Sequence, residues 1–315
     1  MARPRRRLTG HATIVRREAK RFAPNLCELR AVHQVRAFAV ASCYLNSPRE
    51  GGSAMTRFSG QAVVITGGAR GMGAAHARGF LDEDAAVVIT DVLEAEGRAL
   101  ADRLGKRALF IRHDVTSEQD WERVITAAED TFGPVSVLVN NAGIIGRAAP
   151  IEDSDPADWT KVVQINLTGT YLGIRAVTDS MRTAGGGAIV NISSTAGLEA
   201  GPLLHSAYVA SKWAVRGLTK IAANELGRYG IRVNSVHPGG IETPLIGEFA
   251  ANAGSDANRP TTSIQAQAIP RMGTPEEVTR MVLFVASDAS YTTGSEFLID
   301  GGITIAPALT PTTNR

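Results

Sequence analysis

The stretch Ala62-Val63-Val64-Ile65-Thr66-Gly67-Gly68-Ala69-Arg70-Gly71-Met72-Gly73, with alanine-rich sequence following as far as Leu81, decides the fold. An unbroken apolar, β-branched run is the mark of a strand buried on both faces, as in a parallel sheet. Glycines follow at once, and the alanine-rich stretch after them reads as a helix. Strand, glycine loop and helix in that order is the context that makes a glycine motif a nucleotide site. Glycine permits the tight turn and lets a pyrophosphate approach the backbone, while the helix N-terminus offers N–H groups and positive potential. The spacing is Gly67-x-x-x-Gly71-x-Gly73 rather than the commoner Gly-x-Gly-x-x-Gly. Gly67, Arg70, Gly71, Met72 and Gly73 are the candidate contacts on this loop.

The same alternation continues outward. A second strand, Ala85 to Thr90, ends at Asp91, at the distance where a ribose-binding acid is expected. A carboxylate there accepts hydrogen bonds from a 2′-hydroxyl and repels a 2′-phosphate, which argues for NAD over NADP. Arg70 argues weakly the other way, but Val92 supplies no second cation. Ala108 to Arg112 is a third strand, leading to Asp114 and Val115 on the cofactor side, with Asp114 the candidate for the adenine edge. A helix runs from Ser117 to Phe132. Val135 to Val139 is a fourth strand, closed by Asn140-Asn141-Ala142-Gly143. Asn140 is the expected structural knit, and Asn141, Ala142 and Gly143 are candidate cofactor contacts.

Asp158 to Arg182 has helical periodicity and contains Asn166 in a mostly apolar region, where a buried amide needs partners. The fifth strand, Ala188 to Ile192, ends in Ser193-Ser194-Thr195, and hydroxyls at the carboxyl end of such a strand lie where ligands bind. Tyr208 and Lys212 come next, four residues apart and therefore on one helix face. A phenol ionises near pH ~10, so it serves as acid or base near neutrality only beside a stabilising cation. The alternative is an ordinary amphipathic helix with a tyrosine packed inward and a lysine at its rim. After a sixth strand, Ile231 to Val236, come Pro238, Gly239, Ile241 and Thr243. Residues 245–272 are irregular and read as a lid. Thr274 caps a helix with Pro275 at its first position, and Glu296 to Ile299 is the last strand. The expectation is an α/β single domain over 55–306, a doubly wound parallel sheet of about seven strands with helices on both faces, and a loose tail at 307–315.

Residues 1–54 differ in character. They carry eleven Arg/Lys against Glu18, Glu28 and Glu50, a formal charge of +8, which leaves 22 basic and 28 acidic residues, or −6, in the remainder. The acidic body offers no electrostatic case for nucleic acid or an anionic membrane. Cys27 and Cys43 lie in the extension, so the body has no disulfide, cysteine nucleophile or thiolate site. The six histidines show no ligand-spaced pair, and no metal is expected. No apolar run reaches the ~18 residues of a membrane span. The extension reads as disordered or a mis-called start ahead of Met55, in preference to a targeting segment or a basic interaction arm.

Over about residues 58–305 the chain resembles the short-chain dehydrogenase/reductase family. The matching motifs, in order, are Thr66-Gly67-x-x-x-Gly71-x-Gly73, Asn140-Asn141-Ala142-Gly143, Asn166, Ser194, Tyr208-x-x-x-Lys212, and Pro238-Gly239 with Thr243. The resemblance implies a Rossmann-like fold, a cytoplasmic homotetramer, and a nicotinamide cofactor, NAD rather than NADP. It implies that Tyr208 is the general acid/base, that Lys212 lowers its pKa and holds the ribose, and that Ser194 binds the substrate oxygen. Asn166 would position a water that relays protons from Lys212, while Ile241 and Thr243 would hold the carboxamide. The family places its serine thirteen residues before the tyrosine, which here is Thr195; Ser194 is preferred because the strand-end pattern aligns it, with Thr195 in reserve.

Within the family the chain looks most like bacterial 3α(20β)-hydroxysteroid dehydrogenases, through the glycine loop, Asp91 and Lys212-Trp213-Ala214-Val215-Arg216-Gly217-Leu218. This implies a bulky alicyclic secondary alcohol or ketone. Leu198, Pro202, Leu203, Leu204, Leu245, Ile246 and Phe249 would supply an apolar pocket, or ordinary packing. The rival readings are a 3-oxoacyl-thioester reductase using NADPH and a cofactor-binding protein without turnover.

Overall fold

Alternate side chains of β1 (Ala62–Thr66) leave the strand on opposite sides, as its two-residue period dictates. Val63 and Ile65 enter one apolar core and Val64 the other. In β2 (Ala86–Asp91), Val87 and Ile89 likewise oppose Val88. The continuous apolar runs are therefore the consequence of two covered faces. A computed structural model describes residues 56–199, 205–247 and 267–305, which belong to one unit.

The sheet is completed by β3 (Ala108–Arg112), β4 (Val135–Asn140), β5 (Gly187–Ile192), β6 (Ile231–Pro238) and β7 (Glu296–Ile299). All seven strands are parallel, in the order β3-β2-β1-β4-β5-β6-β7. The order reverses between β1 and β4, and the crevice outside their carboxyl ends is where such sheets bind ligands.

Among the described residues the α-helices, in chain order, are α1 (Gly71–Asp82), α2 (Glu94–Leu104), α3 (Glu118–Phe132), α4 (Pro156–Val163), α5 (Gly169–Thr183), α6 (Ser206–Leu226) and α7 (Pro275–Ala286). Phe80 of α1, Leu100 of α2 and Val282 of α7 pack on one face, and Trp121 of α3, Val177 of α5 and Ala222 of α6 on the other. Local chemistry sets their starts. Ser117 caps α3, Asp155 caps α4 ahead of Pro156, and Thr274 with Glu277 forms a capping box on α7.

Three features differ from the sequence reading. Helix α2 was not anticipated, because it buries only Gly97, Leu100 and Ala101. Gly97 lies flat on a ring, and a Cβ there would stand 1.9 Å from Phe110. The helical run around Asn166 is broken by a π turn, Gln164–Thr168, between α4 and α5. The sequence around Tyr208 and Lys212 reads as a helix running to about Tyr229, whereas α6 stops at Leu226 and tightens into a 3₁₀ turn, Gly227–Tyr229.

Residues 1–54, the lid positions 248–266 including Phe249, the loop residues Pro202, Leu203 and Leu204, and the tail 307–315 lie outside the described residues. Among the described residues no helix is long and apolar enough to cross a membrane. None of their His, Cys, Asp and Glu side chains cluster in a way that could hold a metal ion.

Candidate active site

β1 hands the chain to α1 through Gly67, at φ +62°. A Cβ at Gly67 would lie 2.8 Å from Ala142 Cα, so the exit of β4 closes directly on this turn. Gly73 sits beneath the loop, where a Cβ would come within 2.1 Å of the Gly67 carbonyl oxygen. Gly71, at φ +56°, is open by contrast: its nearest neighbours, Thr243 and Pro244, would be 3.6 Å from an added Cβ. No side chain caps α1 and its first turn holds no acid, leaving the positive end of the helix facing this space.

A cleft of about 430 Å³ occupies the crevice. Of the expected cofactor residues, Gly67, Arg70, Gly71, Met72, Asp91, Asp114, Val115, Asn141, Ala142, Gly143 and Thr243 line it. Asp91 also closes the loop, its two carboxylate oxygens accepting from Ala69 N and Leu93 N at 3.0 Å each. The Asn141 amide donates to the carbonyls of Thr66 and Gly67 at 2.9 and 3.0 Å. Asn140 donates to Asn191 Oδ1 at 2.9 Å, and Asn191 donates to Thr219 on α6. Knitting is thus shared by both asparagines and does not fall to Asn140 alone. Bare backbone, an uncapped helix end and one carboxylate at the β2 tip fit a dinucleotide.

Gly73, Tyr208, Lys212, Pro238, Gly239 and Ile241 are not among the lining residues. Gly239 donates to Ile299 O at 3.0 Å, and a Cβ on it would meet Asp300 Cα at 2.9 Å, so its smallness serves the β6–β7 joint. Ile241 is buried and bridges Gly273. Ile241 instead lines a smaller pocket with Gly273, Ile299 and Asp300.

The four candidate catalytic residues converge beside the cleft. Asn166, 1% exposed, accepts from Ile144 N and donates to Ile144 O, both at 2.9 Å, and donates to Ser211 Oγ at 3.1 Å. Ser211 in turn donates to the Tyr208 carbonyl at 2.8 Å. Lys212 is buried and donates through Nζ to Ile192 O at 2.8 Å; a Cβ at Gly143 would stand 3.5 Å from that nitrogen. Burial lowers the Lys212 ammonium to about 8.

The Tyr208 phenol is raised above its ordinary value by burial, opposed by a hydrogen bond with Ser194. The Lys212 ammonium sits 5.6 Å from the Tyr208 ring centroid and also donates to the Ile192 carbonyl of β5. Ser194 is the hydroxyl that meets Tyr208, and its Oγ accepts from Ala196 N at 3.1 Å. Thr195 lies one step on, opening a 3₁₀ turn, with its carbonyl accepting from Leu198 N and Glu199 N.

The family model described as enoyl-(acyl carrier protein) reductase matches residues 67–304. The chain belongs to the short-chain dehydrogenase/reductase family. As a short-chain dehydrogenase/reductase it is an oxidoreductase of the NAD(P)-binding class. It is 44% identical over 247 residues to the 3-alpha-(or 20-beta)-hydroxysteroid dehydrogenase of Mycobacterium tuberculosis, covering 78% of this chain and 90% of the relative. It is 43% identical over 260 residues to the trans-4-hydroxycyclohexanecarboxylate dehydrogenase of Sinomonas cyclohexanicum, covering 79% and 94%. The crystal structure of levodione reductase superposes with a TM-score of 0.73 at 37% identity, covering 78% of this chain and 98% of that one. Among the residues of this cleft that sequence reasoning did not single out are His113, Lys161 and Ile165. Lys161 and Ile165 were within reach, since they stand four apart on the helical run leading to Asn166.

Proposed function

We propose that the protein is an NAD-dependent dehydrogenase that interconverts a secondary alcohol and a ketone on a bulky alicyclic or steroid-like skeleton. The observation that carries this reading is the convergence of Asn166, Ser194, Tyr208 and Lys212 beside a cleft whose far end holds Asp91. The relatives named for hydroxysteroid and hydroxycyclohexanecarboxylate substrates support the substrate class.

When bound, the dinucleotide supplies the hydride donor or acceptor. The glycine loop and the α1 N-terminus would hold its pyrophosphate, Asp91 would bind the adenosine ribose and disfavour a 2′-phosphate, and Ile241 and Thr243 would hold the carboxamide. The Ser194 Oγ already accepts from Ala196 N–H, so its own proton is available to the substrate oxygen. Tyr208 exchanges a proton with that oxygen. Lys212, still protonated at neutral pH, places positive charge beside the phenol and would hold the nicotinamide ribose. Asn166 holds the water that passes protons onward from Lys212. The working assembly is a homotetramer in the cytoplasm, and Met55 is a sufficient start.

The test is NAD⁺ reduction over steroids, terpene alcohols, cyclohexanols and hydroxyacyl thioesters, with protein begun at Met1 and at Met55. Expected are turnover of ring alcohols, preference for NADH over NADPH in reverse, equal activity from both starts, and a tetramer by light scattering. Turnover confined to acyl thioesters with NADPH would replace this reading with the thioester reductase.

A further inference from the structure

We propose that His237 is a positioning residue for the catalytic hydroxyl of Ser194, acting through the Ser194 main-chain carbonyl; the inference rests on the function proposed above. The sheet brings the two residues to within one step of each other. β5 and β6 run in register through Ile192 and Val236, and Ser193 N then donates to Val236 O at 2.8 Å. His237 follows Val236 on β6, and Ser194 follows Ser193 two residues past the end of β5, on the same side of that pairing.

The imidazole is fully buried, with Nδ1 3.1 Å from Ser194 O and Nε2 2.9 Å from Ser235 Oγ. A carbonyl only accepts, so Nδ1 carries the proton and Nε2 accepts from the Ser235 hydroxyl. The geometry fixes the tautomer.

Ser194 is thereby held at both its polar oxygens. Its carbonyl accepts from Gly197 N at 2.9 Å as well as from His237, and its Oγ accepts from Ala196 N. The bonds from Ala196 and Gly197 lie inside the 3₁₀ turn and move with it. Outside ties come from the His237 ring at the Ser194 end and from Arg216, which donates to Gly197 O at 2.7 Å, at the other. Without the imidazole donor the turn keeps its shape, and its serine end loses the side-chain tie to β6. A displacement of about 1 Å at a reacting group costs ~100-fold.

The experiment compares His237→Leu, which removes the donor, with His237→Asn, whose amide reaches about as far as Nδ1. Expected in His237→Leu is a kcat on the alcohol lowered ~10–100-fold, with the NADH dissociation constant from fluorescence titration changed less than about twofold. His237→Asn restores most of the rate. In a Ser194→Ala background, His237→Leu costs nothing further, because both changes act on one group. Independently of turnover, long-range ¹H–¹⁵N spectra show His237 as the Nδ1–H tautomer, assigned by its loss in His237→Asn. A wild-type kcat in His237→Leu, additive losses in the double variant, or an Nε2–H tautomer would overturn the proposal. Should His237→Leu fail to fold, the Asn variant and the tautomer decide. A wild-type enzyme that turns over no ring alcohol sinks the functional reading instead, and leaves the tautomer measurement standing.

Discussion

Lys212 is 5% exposed, its ammonium donates to the Ile192 carbonyl, and burial brings it to about 8 from 10.5. Below pH 8 the folded and unfolded chains both hold this proton. Between about 8 and 10.5 the unfolded chain keeps it while the folded chain has released it, so stability rises with pH across that window. Without added cofactor, urea unfolding at pH 7.5 and 10 is expected to show a gain in wild type over Lys212→Met, at most about 3 kcal/mol; equal slopes would deny the burial cost. The hydroxyls give a second test. Ser194→Ala and Tyr208→Phe are each expected to lower kcat by ~10²–10⁴-fold with NADH affinity retained, whereas Thr195→Ala stays near wild type. The Tyr208–Lys212 pair was legible because a spacing of four shares a helix face. That the lysine serves a strand carbonyl was not, since the partner lies 20 residues away in sequence.

The π turn Gln164–Thr168 shows how an element can be built for one residue. It joins α4 to α5 and turns Asn166 inward, where its amide satisfies both polar groups of Ile144 and the Ser211 hydroxyl. Apolar periodicity predicts a helix here and cannot distinguish one wide turn, because the flanking spacings are unchanged. The polar residue in an apolar stretch was the only sign. Asn166→Leu leaves the Ile144 N–H and C=O without the amide, and each unsatisfied group costs about 1–3 kcal/mol. A loss of roughly 2–5 kcal/mol is expected by denaturant titration, together with loss of activity. A change under about 0.5 kcal/mol would mean the amide partners are dispensable. Helix α2 was unreadable for a different reason: its packing depends on Gly97 against Phe110, a contact without apolar signal.

At the scale of the molecule, the reversal of strand order between β1 and β4 brings together chemistry scattered from residue 67 to residue 243. The strands, their parallel arrangement and most of the cleft wall were legible, because each βα unit repeats one pattern. Which glycines face the cleft was not, since Gly71 and Gly73 differ in backbone conformation and surroundings that the residue type does not record. Asp91 belongs to this scale, as it ties the loop after β1 to the tip of β2 while presenting its charge to the cleft. Asp91→Asn keeps the shape, removes the charge and retains one acceptor for the two backbone N–H groups. A carboxylate several ångströms from a 2′-phosphate near the surface opposes it by about 1–3 kcal/mol, with Arg70 on the same wall to gain from the change. The ratio of kcat/KM for NADH to that for NADPH is therefore expected to fall ~10-fold or more in Asp91→Asn. Thermal melting should drop as one of the Ala69 and Leu93 bonds is lost. An unchanged ratio with a lowered melting temperature would reduce Asp91 to a clasp for the loop and leave cofactor choice to other residues of the cleft.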